Sequence, residues 1–196
     1  MDSFEHTLNV IKSCEEACHL FAAKSLRQSH LADYEKLIKF FDELKPELNK
    51  VKGLTFDFHH RLKSINGIKD RLSNPTLGKE KLSSGSRLND IIGFRLTNPW
   101  TKNIHLIANE ITSRLNIISS LVTEKGRVIY LFGETDQGHA YEIQLWTSMM
   151  YHCFEFEHDR VYKSKGLLSD EQKKKSALVR DHEHKLQDII DENVIV

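Results

Sequence analysis

Cysteine is scarce: Cys14, Cys18 and Cys153 are all there is in 196 residues. An odd count with no paired spacing offers no disulfide framework and points to reduced thiols and a cytoplasmic location. Cys14 and Cys18 stand four apart on a stretch of helical periodicity, a spacing that lets two thiols share a metal. No Cys/His pair with ligand spacing completes such a site, so two small apolar core residues is the better reading. An excess of one charge is missing as well: 28 Lys and Arg stand against 28 Asp and Glu. No whole-chain field then draws in nucleic acid, and any basic site is local. There is no apolar run long enough to cross a bilayer and no signal-peptide pattern at the start, which argues against a membrane partner. Eleven histidines are present, but none falls in an HExxH-type pattern. Internal repeats and low-complexity segments are absent too.

What is there is an ordinary globular composition, 39% hydrophobic and 29% charged. Helical periodicity runs over residues 3–27, with Phe4, Leu8, Ile11, Cys18 and Phe21 on one face. Gln28-Ser29-His30 predicts a break. A second helix follows, carrying Tyr34, Leu37, Ile38, Phe41 and Leu44, with a kink or restart expected before Pro46 and an end at Gly53. Residues 54–60 alternate and read as a strand, and 65–72 as a short helix. The polar stretch to Ser86 reads as a loop. A buried strand is expected over 88–96, closed by Asn98-Pro99, and an amphipathic helix over 101–116. Strands follow near 117–123, 127–133 and 140–146, then helices over 148–162 and from Ser169 or Asp170 to about 192. The fold class this predicts is α+β: a mixed β-sheet of about five strands flanked by helices, with N- and C-terminal helical extensions. Residues 1–52 form the N-terminal extension, 53–165 the core, and 166–196 a closing helix packed on it.

Two strands carry chemistry. In Leu88-Asn89-Asp90-Ile91-Ile92-Gly93-Phe94-Arg95-Leu96, a carboxylate stands at the head and a guanidinium inside. Gly93 removes a side chain where backbone or ligand comes close. In Ala140-Tyr141-Glu142-Ile143-Gln144-Leu145-Trp146, Glu142 and Gln144 share one face and Tyr141, Ile143 and Leu145 the other. If the strands are neighbours, Asp90 and Glu142 converge on one divalent cation. Mg²⁺ suits such a pair, because it takes few protein ligands and completes its shell with phosphate oxygens and water. The bland alternative is a pair of sheet-edge carboxylates bonded to Arg95 and Arg61. Arg61, Lys63, Lys69 and Arg71 cluster at a strand-to-helix junction, which suits polyphosphate or, more plainly, a solvated surface. Glu157-His158 and Tyr162-Lys163 follow on the next helix, where Glu157 faces back toward the sheet. Trp146 reads as core sooner than as a ligand platform.

The order of these blocks resembles the synthetase domain of the RelA/SpoT family, and in particular its small stand-alone members, the small alarmone synthetases. The likeness spans about residues 54–192 and is most specific at Asp90-Ile91-Ile92-Gly93-Phe94-Arg95 paired with Glu142-Ile143-Gln144-Leu145-Trp146-Thr147. It implies a nucleotidyltransferase-like synthetase fold and transfer of the β,γ-pyrophosphate of ATP to a 3′-hydroxyl, as in (p)ppGpp synthesis. Carried over, Arg61, Lys63 and Lys69 hold ATP, with Arg71 and Arg95 assisting. Asp90 binds Mg²⁺, while Glu142 shares the metal and orients or deprotonates the acceptor hydroxyl. Gln144, Glu157 and His158 face that acceptor, a nucleotide or an RNA 3′ end. Self-association through terminal helices is also implied. Two departures fall on the acceptor half. Gly126-Arg127-Val128-Ile129-Tyr130 stands where the family has a Gly-Tyr-x-Ser-x-His block after a longer loop, and Trp146 stands where it has an Arg. They predict poor (p)ppGpp synthesis from GDP or GTP, and leave two alternatives: an impaired domain that binds nucleotide, RNA or protein, and a toxin-type relative acting on tRNA.

Overall fold

The computed structural model describes residues 2–73, 90–157 and 170–193. Its centre is a five-stranded mixed sheet in the order β1-β2-β5-β4-β3. The strands are β1 (Asp57–Leu62), β2 (Ile92–Asn98), β3 (Ile117–Thr123), β4 (Val128–Glu134) and β5 (Ala140–Thr147). Only β2 and β5 run parallel; β1 pairs β2, β4 pairs β5 and β3 pairs β4 antiparallel. The helices are α1 (Asp2–Lys52), α2 (Ile65–Ser73), α3 (Thr101–Arg114), α4 (Ser148–Glu157) and α5 (Asp170–Glu192). The α+β class expected from the sequence is the one found.

Strand alternation sorts the sheet into two faces. Ile92, Phe94 and Leu96 of β2, with Tyr141, Ile143 and Leu145 of β5, are buried on one face. They pack against Leu37, Phe41, Leu44 and Leu48 of α1 and Ile104, Ile107 and Ile111 of α3. The second half of α1 is therefore a wall of the main core, not an appendage to it. Gly93, Arg95, Glu142 and Gln144 point to the other face, which carries the site.

Three expectations about the chain path are corrected. Helix α1 runs unbroken through Gln28-Ser29-His30 and past Pro46. Ser29 Oγ and His30 Nδ1 both donate to the Leu26 carbonyl, at 2.8 and 2.7 Å, so these side chains satisfy themselves inside the helix. The first strand starts at Asp57, not at 54, because the Thr55 carbonyl is taken by Asn98 Nδ2 at 2.6 Å and the ladder opens only at Asp57 opposite Thr97. Leu54 and Phe56 are buried nonetheless. The third correction concerns Cys14 and Cys18, which are exposed on α1 and belong to no core.

Candidate functional site

Asp90 sits in the turn that leads into β2, one residue before the buried Ile91. Ile91 is locked between Ala23 of α1 and Ile68 of α2. Its carbonyl accepts from the Lys63 backbone N–H at 2.8 Å, which ties the end of β1 to the start of β2. Lys63 Nζ donates to the Asp90 carboxylate, and Arg71 of α2 lies 3.6 Å from the same oxygen. Burial opposes ionisation of Asp90, but the Lys63 hydrogen bond and charge, helped by Arg71 and Arg61, outweigh it and hold the carboxyl below its ordinary range. The partners are thus Lys63 and Arg71, where the bland reading of the sequence had paired the two carboxylates with Arg95 and Arg61.

Glu142 reaches the same cavity from β5. Gly93 of β2 lies in register with Glu142 on one side and with Arg61 on the other. A Cβ at Gly93 would stand 3.5 Å from both Cγ and Nε of Arg61, so the Arg61 side chain lies across the bare backbone between the two strands. Gln144, two residues on, organises this face. Its Nε2 donates to Glu142, while its Oε1 accepts from Arg95 Nε at 3.1 Å and from Trp146 Nε1 at 3.3 Å. The Arg95 guanidinium rests 5.0 Å from the Tyr151 ring of α4 and 6.0 Å from Phe154. Together Arg61, Asp90, Gly93, Arg95, Glu142 and Gln144, with His59 and His60, line a cavity of about 160 Å³.

Of the residues expected from the sequence, Arg61, Lys63, Arg71, Asp90, Arg95, Glu142 and Gln144 come together here. Lys69 is half-buried on α2, away from the cavity lining. Glu157 ends α4, and its side chain, like the whole of His158, lies outside the described residues. Among the described residues no group of three or more His, Cys, Asp or Glu is placed to hold a metal ion. Two carboxylates on one cavity still fit Mg²⁺, which is commonly held by one or two carboxylates with phosphate and water supplying the rest.

A second cavity, also about 160 Å³, opens on the same face of the sheet on the far side of Gln144 and Trp146. Trp146 is buried, as its reading as core predicts, in a cluster with Val128 and Met150, with its ring 4.9 Å from Phe154 and edge-on to Tyr130 at 6.2 Å. Burial, then the charge of Glu142, raises the Tyr130 hydroxyl above its ordinary range. The far wall comes from α5, whose contribution sequence reading missed. Arg127 is buried, donates to His184 Nδ1 at 2.5 Å and pairs with Asp188, while His184 Nε2 donates to Glu124 at 3.1 Å. A guanidinium only donates, so the accepting Nδ1 fixes this tautomer. The available signal was the stripe Glu183, Gln187 and Asp191: polar residues four apart on the positions that turn inward.

No family model matches the chain, and no curated protein does either. Solved structures do. A small alarmone synthetase 1 from Bacillus subtilis bound to its product pppGpp superposes with a TM-score of 0.67 at 15% identity, over 86% of this chain and 96% of that one. The same protein bound to AMPCPP gives 0.64 at 16% identity, over 86% and 95%. A GTP pyrophosphokinase family protein from Streptococcus pneumoniae gives 0.58 at 22%, over 84% and 91%. At these identities the likeness is one of fold: this chain has the fold of the small alarmone synthetases.

Proposed function

We propose that this chain is a RelA/SpoT-type pyrophosphokinase that moves the β,γ-pyrophosphate of ATP to the 3′-hydroxyl of a nucleotide acceptor through a rebuilt acceptor half. The observation that carries the reading is one cavity lined by Asp90, from the turn that opens β2, and by Glu142 of the neighbouring parallel strand β5, with Arg61 and Arg95 beside them. Arg61 lies across Gly93 and meets polyphosphate from β1; Arg95, held by Gln144, meets it from β2. When bound, Mg²⁺ would neutralise the phosphates and hold them against the two carboxylates. Glu142 accepts the proton of the attacking hydroxyl, and the Gln144 amide fixes its orientation. The acceptor oxygen bonds to the β-phosphorus, the bond from that phosphorus to the oxygen bridging to the α-phosphate breaks, and AMP leaves. Positioning and charge neutralisation supply most of the rate. The B. subtilis neighbour is seen with an ATP analogue and with pppGpp, which agrees with a nucleotide donor and a nucleotide acceptor.

One observation favours a second reading. Lys63 and Arg71 already neutralise Asp90, so the chain holds this carboxylate without a metal, as a binding module with no turnover would. Incubation with γ-labelled ATP, Mg²⁺ and GDP, GTP, AMP, ADP, ATP or bulk tRNA separates the two. Label moved to any acceptor supports the pyrophosphokinase. Mg·ATP binding with label on none of them supports the binding module.

A further inference from the structure

The two edges of the sheet are built differently. β1 closes one side with Asp57, His59, His60 and Arg61, so charge and imidazole guard it. β3 closes the other with Ile117-Ile118-Ser119-Ser120-Leu121-Val122-Thr123, a run with no charged residue, no proline and no glycine. A bare edge offers a row of free N–H and C=O groups, and natural edge strands are blunted by lysine, proline or a cover. Among the described residues no strand pairs β3 on its outer side. Its apolar side chains are open on both faces of the sheet. Leu121 stands opposite Tyr130 and is 44% exposed, while Val122 stands opposite Ile129, on the core face, and is 51% exposed. The ladder with β4 is irregular between Ile117 and Ser119, which bends that end away from further pairing. Ser119 to Thr123 then run in unbroken register against β4, and these residues are the free surface.

We infer that β3 is an interaction surface for a second copy of this chain, whose own β3 pairs with it antiparallel about a two-fold axis at Leu121. Leu121 is the centre of the regular run, so an axis there uses all of it. Leu121 then meets its own copy, Ser120 meets Val122, and Ser119 meets Thr123. Serine and threonine opposite each other hydrogen-bond across strands, and the apolar pair covers surface that is now open. A strand without charge opposes no like charges when it meets itself. The charges at its two ends complement each other. Lys125 follows the strand at one end; Glu134 lies beside the other, where its backbone N–H donates to the Asn116 carbonyl at 3.2 Å. Both side chains are exposed, and antiparallel pairing turns each toward the opposite charge on the other copy. The contact joins the two sheets into one and leaves the cavity of Asp90 and Glu142 untouched, since no β3 residue lines it. It does not depend on pyrophosphate transfer.

The test is sedimentation equilibrium of the full chain over micromolar concentrations, for the parent, L121K, L121E and an equimolar mixture of the two variants. The parent should show a concentration-dependent doubling of mass. On the two-fold axis residue 121 faces itself, so L121K and L121E each oppose like charges and should each raise the dissociation constant of this step about 5-fold or more. The mixture opposes Lys to Glu and should recover the association. Leu121 is exposed, so urea midpoints of both variants should match the parent's. Hydrogen exchange needs only the unmodified chain: amides within 119–123 should exchange more slowly as concentration rises, because outward N–H groups gain partners. A parent that stays monomeric would leave the edge to a foreign strand and overturn the assignment. Variants that associate as the parent does would overturn it too, by placing the contact on another surface, such as the exposed apolar residues of α1 or α5. So would a mixture no better than either variant alone, or exchange at 119–123 that ignores concentration.

Discussion

Asp90 and Glu142 are alike in chemistry and differ in company. Asp90 is held ionised by Lys63, Arg71 and Arg61, whereas Glu142 is met by an amide, Gln144, which orients without adding charge. That contrast suits one carboxylate for cation and phosphate work and the other for taking a proton. D90N and E142Q should each lower pyrophosphate transfer by at least ~10²-fold. Both are measured with labelled ATP, and unchanged rates in the two variants would remove these residues from the chemistry. Gly133 sets a different kind of limit, on the core face of the sheet. A Cβ there would collide with the ring and hydroxyl of Tyr141, and that ring is buried with its hydroxyl donating to the Asn116 carbonyl at 3.1 Å. Burial pushes the Tyr141 hydroxyl up to about 12, so it stays protonated and keeps donating. G133A should therefore cost about 1–3 kcal/mol, the usual range for overpacking, read as a lower urea midpoint at unchanged slope. Trp146 was legible as a residue of the Glu142 face from alternation alone. Its bond to Gln144 was not, since nothing in the order of residues says which neighbour an indole N–H will find.

Helix α1 is anchored to the β4–β5 turn by a cluster that the sequence hid. Asp33 accepts from Thr135 Oγ1 at 2.5 Å and from His139 Nδ1 at 2.8 Å, and His139 stacks on His30 with ring centres 4.1 Å apart. The partners lie over a hundred positions apart, which is why residues 28–30 read locally as a break when they are a docking point. Burial, opposed by the Leu26 carbonyl and reinforced by His139, lowers His30 from its ordinary 6.5. The unfolded chain therefore binds this proton more readily than the folded one, and stability falls as pH drops below about 6.5. Burial opposes ionisation of Asp33, but Thr135 and His139 overcome it, so its contribution is intact above its ordinary 3.8 and is lost only in stronger acid. Urea unfolding at pH 7.5 and 5.5 should show a lower midpoint at 5.5, and H30L should flatten that difference. A pH-independent midpoint in the parent would show that His30 carries no linkage. Helix α5 was equally legible in extent and illegible in orientation. Among its described side chains the buried ones are Glu183 and Gln187, while Leu178, Val179, Leu186 and Ile189 are exposed. Amphipathic reasoning puts the apolar stripe inward; here α5 lies against polar backbone ends and loops, and polar side chains meet them. Asp191 caps α3 from outside, since Trp100 supplies no side-chain cap. D191A should cost ~1 kcal/mol in unfolding experiments, as loss of an N-terminal cap does.

The sheet order explains why the two cavities lie side by side. β2 and β5 are adjacent and parallel, so Asp90 and Glu142 enter from the same end, while β4 and α5 carry the aromatic cavity past Gln144. The strand blocks announced the first cavity because period-two alternation and a run of bases survive in sequence. The second rests on α5 meeting a hairpin some sixty residues away, which no local pattern records. This arrangement makes the donor half testable by itself. Arg61 and Arg95 line the first cavity and not the second, so Mg·ATP should bind whether or not an acceptor is present. A ligand that binds only the folded chain at a hundred times its dissociation constant adds about 2.7 kcal/mol. For a chain of this length each kcal/mol raises the melting temperature by about 2–4 °C, so saturating Mg·ATP should raise it by roughly 5–10 °C. R61A removes a guanidinium that is exposed and lies over bare backbone, so it should leave the unliganded melting temperature nearly unchanged and abolish most of the shift. E183Q should retain the shift in full. An unshifted melting temperature for the parent chain in millimolar Mg·ATP would refute the donor site, and a shift of equal size in R61A would show that nucleotide binds elsewhere than between β1 and β2.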